Sequence, residues 1–264
     1  MWGTRDLHFY QLKQIKRIRA VRRADGYYVQ FCVDQERLEK REPTQTNIGL
    51  DVGLTHFYTD SKGNTVENPR HLRKSEKALK RLQRKLSRKK KSSKNRIKAK
   101  NKLARKHLKV SRQRKDFAVK TARCVVISND VVAYEDLKVK NMVKNHHLAK
   151  SISDASWSLF REWIEYYGRV FGVVTVAVSP HNTSQNCSNC GKKVQKTLST
   201  RTHCCPHCGT VLDRDHNAAL NILEIGLRSV GHTGMSSSVD ENDLCLGDAS
   251  PPSKPTRRSR KPKQ

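Results

Sequence analysis

The sequence predicts a mixed α/β fold, and three observations lead to that expectation. Short apolar runs bounded by turn residues, typical of strands, alternate with longer segments whose apolar residues recur every three or four positions, as in amphipathic helices. A strongly basic stretch with helical periodicity interrupts this pattern at 70–115. Two Cys-x-x-Cys pairs then stand between the last predicted strand and the last predicted helix, which indicates a small separate unit there.

The charge of the chain is its most unusual compositional property. Its 264 residues include 54 Lys+Arg and 24 Asp+Glu, a formal net charge of +30, whereas a net charge of roughly 2–8 is enough to keep a small domain dispersed. The longest apolar run, at 171–178, is far shorter than the roughly 20 residues that span a bilayer. The residues after Met1 are rich in Lys and Arg and lack the apolar core of a signal peptide. These features disfavour a membrane protein or a secreted enzyme and favour a polyanionic partner.

Strands dominate the chain before the basic stretch. A β-hairpin is expected over 15–34, with its turn at 24–26 and alternating aromatic and β-branched residues in its second strand. Strands at 46–52 and 56–60 flank Gly53, and a turn at 61–64 follows.

The basic stretch at 70–115 contains 23 Lys+Arg and one acid, Glu76. Leucines at 72, 79, 82 and 86 fall at helical spacing, and a second periodic run begins at Ile97 after the polar residues 89–95. We interpret the stretch as two antiparallel basic helices. A charge run is usually a solvated helical face, but self-repulsion at this density destabilises a compact state unless counter-charge is supplied. Nucleic-acid phosphates would supply it.

Helices and strands alternate after the basic stretch. A helix is expected near 117–126, a strand at 131–135, a second strand at 173–178 and a last helix over 215–227. Between the two strands lies an amphipathic helix with one apolar face, formed by Trp157, Phe160, Ile164, Tyr167 and Phe171. Beyond Gly231 the chain is polar and without periodicity, so residues 231–264 are expected to be disordered.

The two cysteine pairs have the spacing of a metal site. They are Cys187 with Cys190 and Cys205 with Cys208, and each pair is followed by glycine. Two thiolates three positions apart in a tight turn can face one ion, so two such turns predict a closed tetrahedral Zn²⁺ site with a structural role.

Other cysteines and histidines leave alternatives at this site. Disulfides are one, although they are rare in the intracellular compartment expected for a basic chain without a signal sequence. Cys204 could compete with Cys205, although the Cys-Pro-x-Cys-Gly register favours Cys205, and His203 or His207 could replace a thiolate. The remaining cysteines are expected to be buried or incidental thiols; they are Cys32, Cys124 and Cys245.

Three acids stand at positions that suit a metal-dependent reaction. Asp51 and Glu135 lie in or at the end of apolar strands, and Asp215 lies at the start of the last helix. A carboxylate on an apolar strand is costly to bury unless a cation faces it, and carboxylate is a ligand that Mg²⁺ accepts. Together the three acids could hold two ions for phosphodiester hydrolysis. Taken singly, each is explained as well by a strand-end acid or, for Asp215, by a helix N-cap.

Four motifs in a fixed order resemble one protein family. They are Gly49-Leu50-Asp51-Val52-Gly53-Leu54, Tyr134-Glu135-Asp136-Leu137, Thr183-Ser184-Gln185-x-Cys187-x-x-Cys190-Gly191 and Cys205-Pro-x-Cys208-Gly209 followed by Asp213-Arg214-Asp215-x-Asn217-Ala218-Ala219-x-Asn221-Ile222. The chain resembles the OrfB/TnpB family of insertion-sequence transposase-associated proteins, which is related to the type V CRISPR effector nucleases. The resemblance covers residues 10 to about 230.

The resemblance implies an RNase H-like (RuvC-type) nuclease domain with a zinc ribbon inserted before its last catalytic segment. The catalytic acids, which also hold Mg²⁺, fall on Asp51, Glu135 and Asp215, with two ions expected and Mn²⁺ as an alternative. The implied activity is metal-dependent, RNA-guided cleavage of DNA beside a short motif. DNA and a guide RNA from the transposon end are therefore the expected partners, and the prokaryotic cytoplasm, at the nucleoid, is the expected location.

The resemblance also suggests domain boundaries. A hairpin remnant of a wedge-like β-barrel is expected at 1–45, the first part of the nuclease domain at 46–180, the zinc ribbon at 181–212, the last catalytic helix at 213–230 and a disordered tail at 231–264. Family members usually carry a recognition lobe and a complete barrel before the nuclease domain, so this chain is expected to be truncated at its amino end. Guide-RNA binding, for which that lobe would be needed, stays open.

Two other functions are compatible with the same motifs. A truncated, catalytically incompetent zinc protein that only binds nucleic acid is the main alternative. A DNA-strand-transfer transposase is the other, since an RNase H-like carboxylate trio would support that chemistry too.

Overall fold

The computed structural model describes residues 9–197 and 199–231, which form a mixed α/β fold, as predicted. The strands are β1 (Ile15–Arg23), β2 (Gly26–Val33), β3 (Asn47–Val52), β4 (His56–Asp60), β5 (Thr65–Glu67), β6 (Val131–Glu135), β7 (Val174–Val178), β8 (Thr202–Cys204) and β9 (Val211–Asp213). The helices are α1 (His71–Ser87), α2 (Lys94–Ile127), α3 (Val139–Met142), α4 (His146–Ala155), α5 (Trp157–Phe171) and α6 (Arg214–Ser229).

The central sheet has five strands in the order β5-β4-β3-β6-β7. Strands β5, β4 and β3 form an antiparallel meander, whereas β3, β6 and β7 run parallel to one another. In the register of β3 and β6, Leu50 lies opposite Tyr134. The carboxyl ends of β3 and β6 therefore lie next to each other at the same edge of the sheet.

Helices cover both faces of this sheet. Val132 and Tyr134 of β6 belong to the large apolar core that α2 and α5 complete. Ala133, between them, points to the other face and packs with Ile222 of α6, as expected from the alternation of side chains along a strand. The five residues of the apolar face predicted for α5 are all buried, so that prediction is confirmed.

Helix α6 approaches the sheet closely at two glycines. A Cβ atom at Gly49 of β3 would lie 2.2 Å from the carbonyl oxygen of Ala219, and one at Gly226 of α6 would lie 2.5 Å from the Cβ of Ala133. Both distances are far shorter than a van der Waals contact, so this packing requires glycine. The position of α6 is thereby fixed against β3 and β6.

The structure corrects the expected helices between 94 and 127. The second basic helix and the helix expected near 117–126 are one helix of 34 residues, α2. Neither glycine nor proline interrupts this segment, and buried residues continue from Leu103 and Val110 to Ala118 and Val126. The change from a charged to an apolar composition near Lys115 marks where α2 enters the core, which is a change of environment and not of backbone conformation.

The short elements β5, β8, β9, α3 and α4 were not predicted, whereas β1 to β4, β6 and β7 match the expected strands to within one residue. Strands β5, β8 and β9 have three residues each, α3 has four, and α4 lies in the segment 146–155, which contains few large apolar residues. The hairpin β1–β2 forms as expected, and its tip is held on α2 where Arg112 pairs with Asp25 (2.6 Å) and donates to the Tyr28 hydroxyl (2.7 Å).

The expected domain boundaries remain predictions, and residues 232–264 of the expected tail lie outside the described residues. No helix in the described part of the chain is long and apolar enough to cross a membrane.

Candidate carboxylate and metal sites

The three acids singled out in the sequence lie at the edge of the sheet where β3 and β6 end. Asp51 is the penultimate residue of β3, Glu135 is the last residue of β6, and Asp215 is the second residue of α6, which packs on both strands. Burial raises the pKa of Asp51 well above its ordinary value, and the negative charges of Glu135 and Asp215 raise it further. The geometry agrees, because the register of β3 and β6 places Asp51 next to Glu135 and α6 packs on both strands.

A hydroxyl group holds Glu135. Thr183, from the loop after β7, donates a hydrogen bond of 2.6 Å to Glu135 Oε1. Burial raises the pKa of Glu135, and the bond from Thr183 opposes that rise because it favours the charged carboxylate. Thr183 is itself buried, so the orientation of Glu135 is set from the side of the loop that leads to the cysteines.

Two arginines contact Asp215. Arg214 donates to Oδ1 at 2.9 and 2.8 Å, and Arg201 lies 3.5 Å from Oδ2 and also donates to the Thr55 hydroxyl at 3.3 Å. The alternative that Asp215 is the N-cap of the last helix is wrong. Asp213 caps α6, because its Oδ1 accepts hydrogen bonds from the backbone N–H groups of Asp215 and His216. Asp215 is therefore free of a capping role.

The carboxylates can be tested against the needs of a cation. In the described residues their oxygens do not form a group that lies wholly within 4.8 Å, as the cysteine sulfurs do. The donors are nevertheless all carboxylate oxygens, the set that hard divalent cations prefer. A cation would also relieve the repulsion that raises the pKa of Asp51. The three acids therefore suit a divalent-cation site shared between the sheet and α6.

The four predicted cysteines form a group that could hold a metal ion. Their sulfur atoms all lie within 4.8 Å of one another, with 3.6 Å between Cys187 and Cys208 and 3.6 Å between Cys190 and Cys205. None of these cysteines forms a disulfide. The Thr210 hydroxyl, 3.2 Å from the Cys208 sulfur, lowers the pKa of that thiol to about 6, whereas the pKa of Cys190 in the same group is raised to about 12. A bound cation would favour the thiolate form of all four.

The alternative ligands lie outside this group. Cys204 is exposed and His203 is fully buried, and neither belongs to the cluster of four sulfurs. Cys32 and Cys124, expected to be buried or incidental thiols, are exposed, and Cys245 lies outside the described residues.

A chain of hydrogen bonds joins the cysteine group to the carboxylates. Asn217 of α6 accepts from the backbone N–H of Ser188, next to Cys187, and donates to Asn186 O at 2.7 Å. One turn later, Asn221 donates to the carbonyl oxygens of Asn186 (2.8 Å) and Thr183 (2.7 Å). The loop that carries the first cysteine pair is thus fixed to α6 by buried amides, and the same loop orients Glu135 through Thr183.

Sequence reasoning assigned no role to four polar residues that the structure places around the site. Thr183, Asn217 and Asn221 stand inside the motifs that carry the resemblance, and Arg201 stands just before β8. The one signal in the sequence for three of these residues was their position inside the same motifs as the predicted metal ligands. Their partners could not be found from spacing, because each contact joins segments far apart along the chain.

Two protein families match the chain in adjacent segments. The OrfB_IS605 family, described as "Probable transposase", matches residues 30–146. The family described as "Cas12f1-like, TNB domain" matches residues 157–222, which contain the cysteine group and the first half of α6.

Curated relatives resemble the chain over most of its length. A protein of Streptomyces pristinaespiralis named "Putative RNA-guided DNA endonuclease" is 38% identical over 207 residues, or 78% of this chain and 51% of that protein. A protein of Escherichia coli (strain K12) named "Putative RNA-guided DNA endonuclease InsQ" is 32% identical over 228 residues, or 80% of this chain and 57% of that protein. The chain spans little more than half the length of these relatives. A structure titled "Cryo-EM structure of the Cas12f1-sgRNA-target DNA complex" is 18% identical with a TM-score of 0.49, and the match covers 78% of this chain and 55% of that one.

Proposed function

Because the chain belongs to the OrfB/TnpB family of insertion-sequence transposase-associated proteins, we propose that it is a transposon-associated, metal-dependent DNA endonuclease that uses an RNA guide. The observation that carries the proposal is the convergence of Asp51, Glu135 and Asp215, from two strands and a helix, on one edge of the sheet. Arg201 and Arg214 pair with Asp215, whereas Asp51 and Glu135 are partly buried carboxylates that call for a further positive charge.

The sheet supports the RuvC-type fold that the family resemblance implies. Its parallel strands β3 and β6 end side by side, and one proposed catalytic acid lies in the last two residues of each strand. Ligands of α/β sheets commonly bind at the carboxyl ends of the strands, and α6 adds the third acid at that same edge.

Divalent ions would be held by Asp51, Glu135 and Asp215, and Mg²⁺ is the ion that best fits three carboxylates, with Mn²⁺ as an alternative. When bound, such ions activate a water molecule for attack on the scissile phosphate and stabilise the leaving oxygen. The part of the chain in this chemistry would be to orient the carboxylates.

Arg201 and Thr183 would support that orientation from the ribbon side. Arg201 bridges Asp215 and Thr55, so it links the start of α6 to the loop after β3. Thr183 holds Glu135 in one orientation through a hydrogen bond of 2.6 Å. Preorganised contacts of this kind reduce the reorganisation that the site needs when substrate binds.

The cysteine group is proposed to hold a structural Zn²⁺. A tetrahedral site with Zn–S bonds of about 2.3 Å places neighbouring sulfurs about 3.8 Å apart. The two close sulfur pairs, at 3.6 Å, come near to that value. With four thiolates the site has no open position, so its role would be to fix the segment between β7 and α6.

DNA and guide RNA are the proposed partners, because the names of the two curated relatives describe RNA-guided DNA endonucleases. The basic faces of α1 and α2 would contact the phosphates, and a nuclease with these partners would act in the cytoplasm at the nucleoid.

The proposal is tested with purified protein, Mg²⁺, the RNA of the cognate transposon end and matching DNA. We expect cleavage by the wild type and loss of cleavage with retained DNA affinity in Glu135→Gln. The matched control is Asp136→Asn, which removes a neighbouring half-exposed carboxylate that pairs with Arg161 and should leave cleavage intact. A binding protein without nuclease activity, the alternative function, would show no cleavage with any variant and no effect of Glu135→Gln.

A further inference from the structure

A polar cleft of about 490 Å³ lies between the loop after β3, the start of α1 and helix α4. Thr55 lines it on the side of the carboxylates, because the Thr55 hydroxyl accepts a hydrogen bond from the same Arg201 that contacts Asp215. Arg70 and Arg73 line it at the start of α1, and Lys150 and Ser151 line it from α4. The cleft therefore adjoins the proposed catalytic edge without being part of it.

The acids in this cleft are already paired with other groups. Asp154 accepts from the backbone N–H of Leu72 (2.9 Å) and Arg73 (3.2 Å) and from the side chain of Arg114 (2.9 Å). Glu76 pairs with Lys80 at 2.9 Å and with Lys150 at 2.6 Å. Both carboxylates are thus bound by other groups that line the cleft, and neither forms an ion pair with Arg70 or Arg73.

Arg70 and Arg73 have no ion pair within the part of the chain that the structure describes. Arg70 is also held in the left-handed region, at φ 47°, with its backbone N–H bonded to the Asn68 side chain at 3.2 Å. A non-glycine residue in that conformation is strained, and such strain is concentrated at functional sites. The cleft thus presents two uncommitted guanidinium groups beside the hydroxyls of Thr55 and Ser151, which is a donor set suited to a phosphate.

The cleft leads onto the basic face of α1. From Arg73 the cations continue at helical spacing through Lys77, Arg81, Arg84 and Arg88, and most of these line one exposed surface of the helix. Fifteen residues of helix correspond to about 22 Å. The cleft therefore connects the carboxylates at one end with a long cationic surface at the other.

We propose that this cleft binds a backbone phosphate of the DNA strand that enters the carboxylate site, with Arg70 and Arg73 as its cationic ligands. The proposal rests on the proposed function for the identity of the ligand as DNA. It adds a defined phosphate position between the catalytic edge and α1, through which the strand passes from one to the other.

The test measures the salt dependence of binding to a fluorescein-labelled single-stranded oligodeoxynucleotide by anisotropy, without added divalent ions so that no cleavage occurs. The variant is Arg70→Gln with Arg73→Gln, and Arg73→Gln alone serves as a second variant that leaves the strained residue unchanged. The control is Arg169→Gln with Arg228→Gln, which removes the same charge from the last turns of α5 and α6.

Each phosphate contact contributes about 0.7 to the slope of log K against log salt for single strands. Because the cleft holds one phosphate, we expect the slope between about 50 and 200 mM KCl to fall by roughly 0.7 in the double variant, by part of that in Arg73→Gln, and by much less in the control. An equal change in variant and control overturns the cleft as a specific site.

Two further outcomes separate this proposal from the proposed function. If the wild type does not bind the oligonucleotide, both fail; if it binds and the double variant keeps the wild-type slope, only the cleft fails. If the double variant differs from the wild type in its affinity for inorganic phosphate by calorimetry but not in the oligonucleotide slope, the cleft is a site for a free anion and the proposal is overturned.

Discussion

The hydrogen bond from Thr183 to Glu135 is the residue-scale contact with the most direct consequence for the proposed catalysis. In Thr183→Val the shape is kept and the donor is lost, and a hydrogen bond to a charged group is worth roughly 1.5–3 kcal/mol. We therefore expect the single-turnover cleavage rate to fall by about 10- to 100-fold, together with weaker Mg²⁺ binding by calorimetry. Thr183→Ser should restore both values. Equal losses in the Val and Ser variants would show that Thr183 acts only through its packing.

A second residue-scale prediction concerns the free energy of unfolding, which a charged Asp51 lowers. The folded-state pKa of Asp51 is raised by burial and by the neighbouring charges of Glu135 and Asp215, so the folded state loses stability as the pH rises from the ordinary Asp pKa of about 4 through that raised value. At pH 7, without added divalent ions, Asp51→Asn should raise the free energy of unfolding on the order of 1 kcal/mol, or about 2–4 °C in Tm.

Because a charged Asp51 should destabilise the folded state, two thermal-melting experiments can check the prediction. As the pH falls towards about 4, the usual range of an Asp pKa, the wild type regains the lost stability and the two proteins converge. At pH 7, added Mg²⁺ should raise the Tm of the wild type more than that of Asp51→Asn, because ion binding stabilises the folded state. A variant less stable than the wild type at pH 7 would contradict the repulsion among the three acids.

The candidate site was predictable at this scale only in part. Acids on apolar strands and paired cysteines are conspicuous in the sequence, because burying a charge or placing two thiols in one turn needs a reason. Thr183 and Arg201 are ordinary polar residues until the fold brings them to Glu135 and Asp215. Their roles depend on contacts across 48 and 14 positions of the chain, which no local pattern encodes.

At the scale of elements, α6 depends on its close packing against β3. Because a Cβ at Gly49 would lie 2.2 Å from the carbonyl oxygen of Ala219 and 2.7 Å from the backbone nitrogen of Leu223, Gly49→Ala must displace the helix. We expect this variant to lose about 1–3 kcal/mol or more of its free energy of unfolding and to show a lower Tm. Gly53→Ala is the comparison, since a Cβ there meets one atom, at 3.2 Å. Similar losses in both variants would mean that α6 adjusts without strain.

The cysteine group offers an adjacent pair of residues for a second test at this scale. Cys205→Ser removes one of four clustered sulfurs, whereas Cys204→Ser changes an exposed residue outside the cluster. The first variant should lose about one zinc ion per chain, measured by elemental analysis, because a structural site needs its four ligands. It should also increase hydrogen exchange in β8 and β9. Cys204→Ser should match the wild type, and zinc loss in that variant would exchange the roles of the two residues.

The elements themselves show where sequence patterns suffice. The bounds of β4 and β6 and the buried face of α5 were predicted to the residue. Their side chains pack into the core, so their apolar residues form the short runs of a strand or the 3.6-residue repeat of a helix. Strand β5 is too short to show a period, and it forms because β4 offers an open edge with which it can pair. Such elements depend on their neighbours, so they could not be found from local sequence.

The whole molecule carries its charge in one region. Of the net +30, residues 70–115 contribute 23 cations and one acid, and in the structure they form α1 and most of α2, with salt bridges to Glu76, Asp25 and Asp154. Most of these cations project from exposed helical faces. The fold thus separates the sheet edge that carries the three acids from a cationic surface, an arrangement that suits the proposed cleavage of a strand held by its phosphates.

This separation predicts how salt and DNA act on stability. Without nucleic acid, raising KCl from about 50 to 200 mM should raise the Tm, because screening weakens the repulsion among the cations of α1 and α2. A saturating single-stranded oligodeoxynucleotide should raise the Tm at low salt, since a ligand that binds the folded state stabilises it. That gain should shrink at the higher salt concentration, because the affinity itself falls with salt. The four conditions are compared by differential scanning fluorimetry. A gain from the oligonucleotide that is equal at both salt concentrations would contradict binding through phosphates, and a Tm that falls with salt alone would contradict the repulsion.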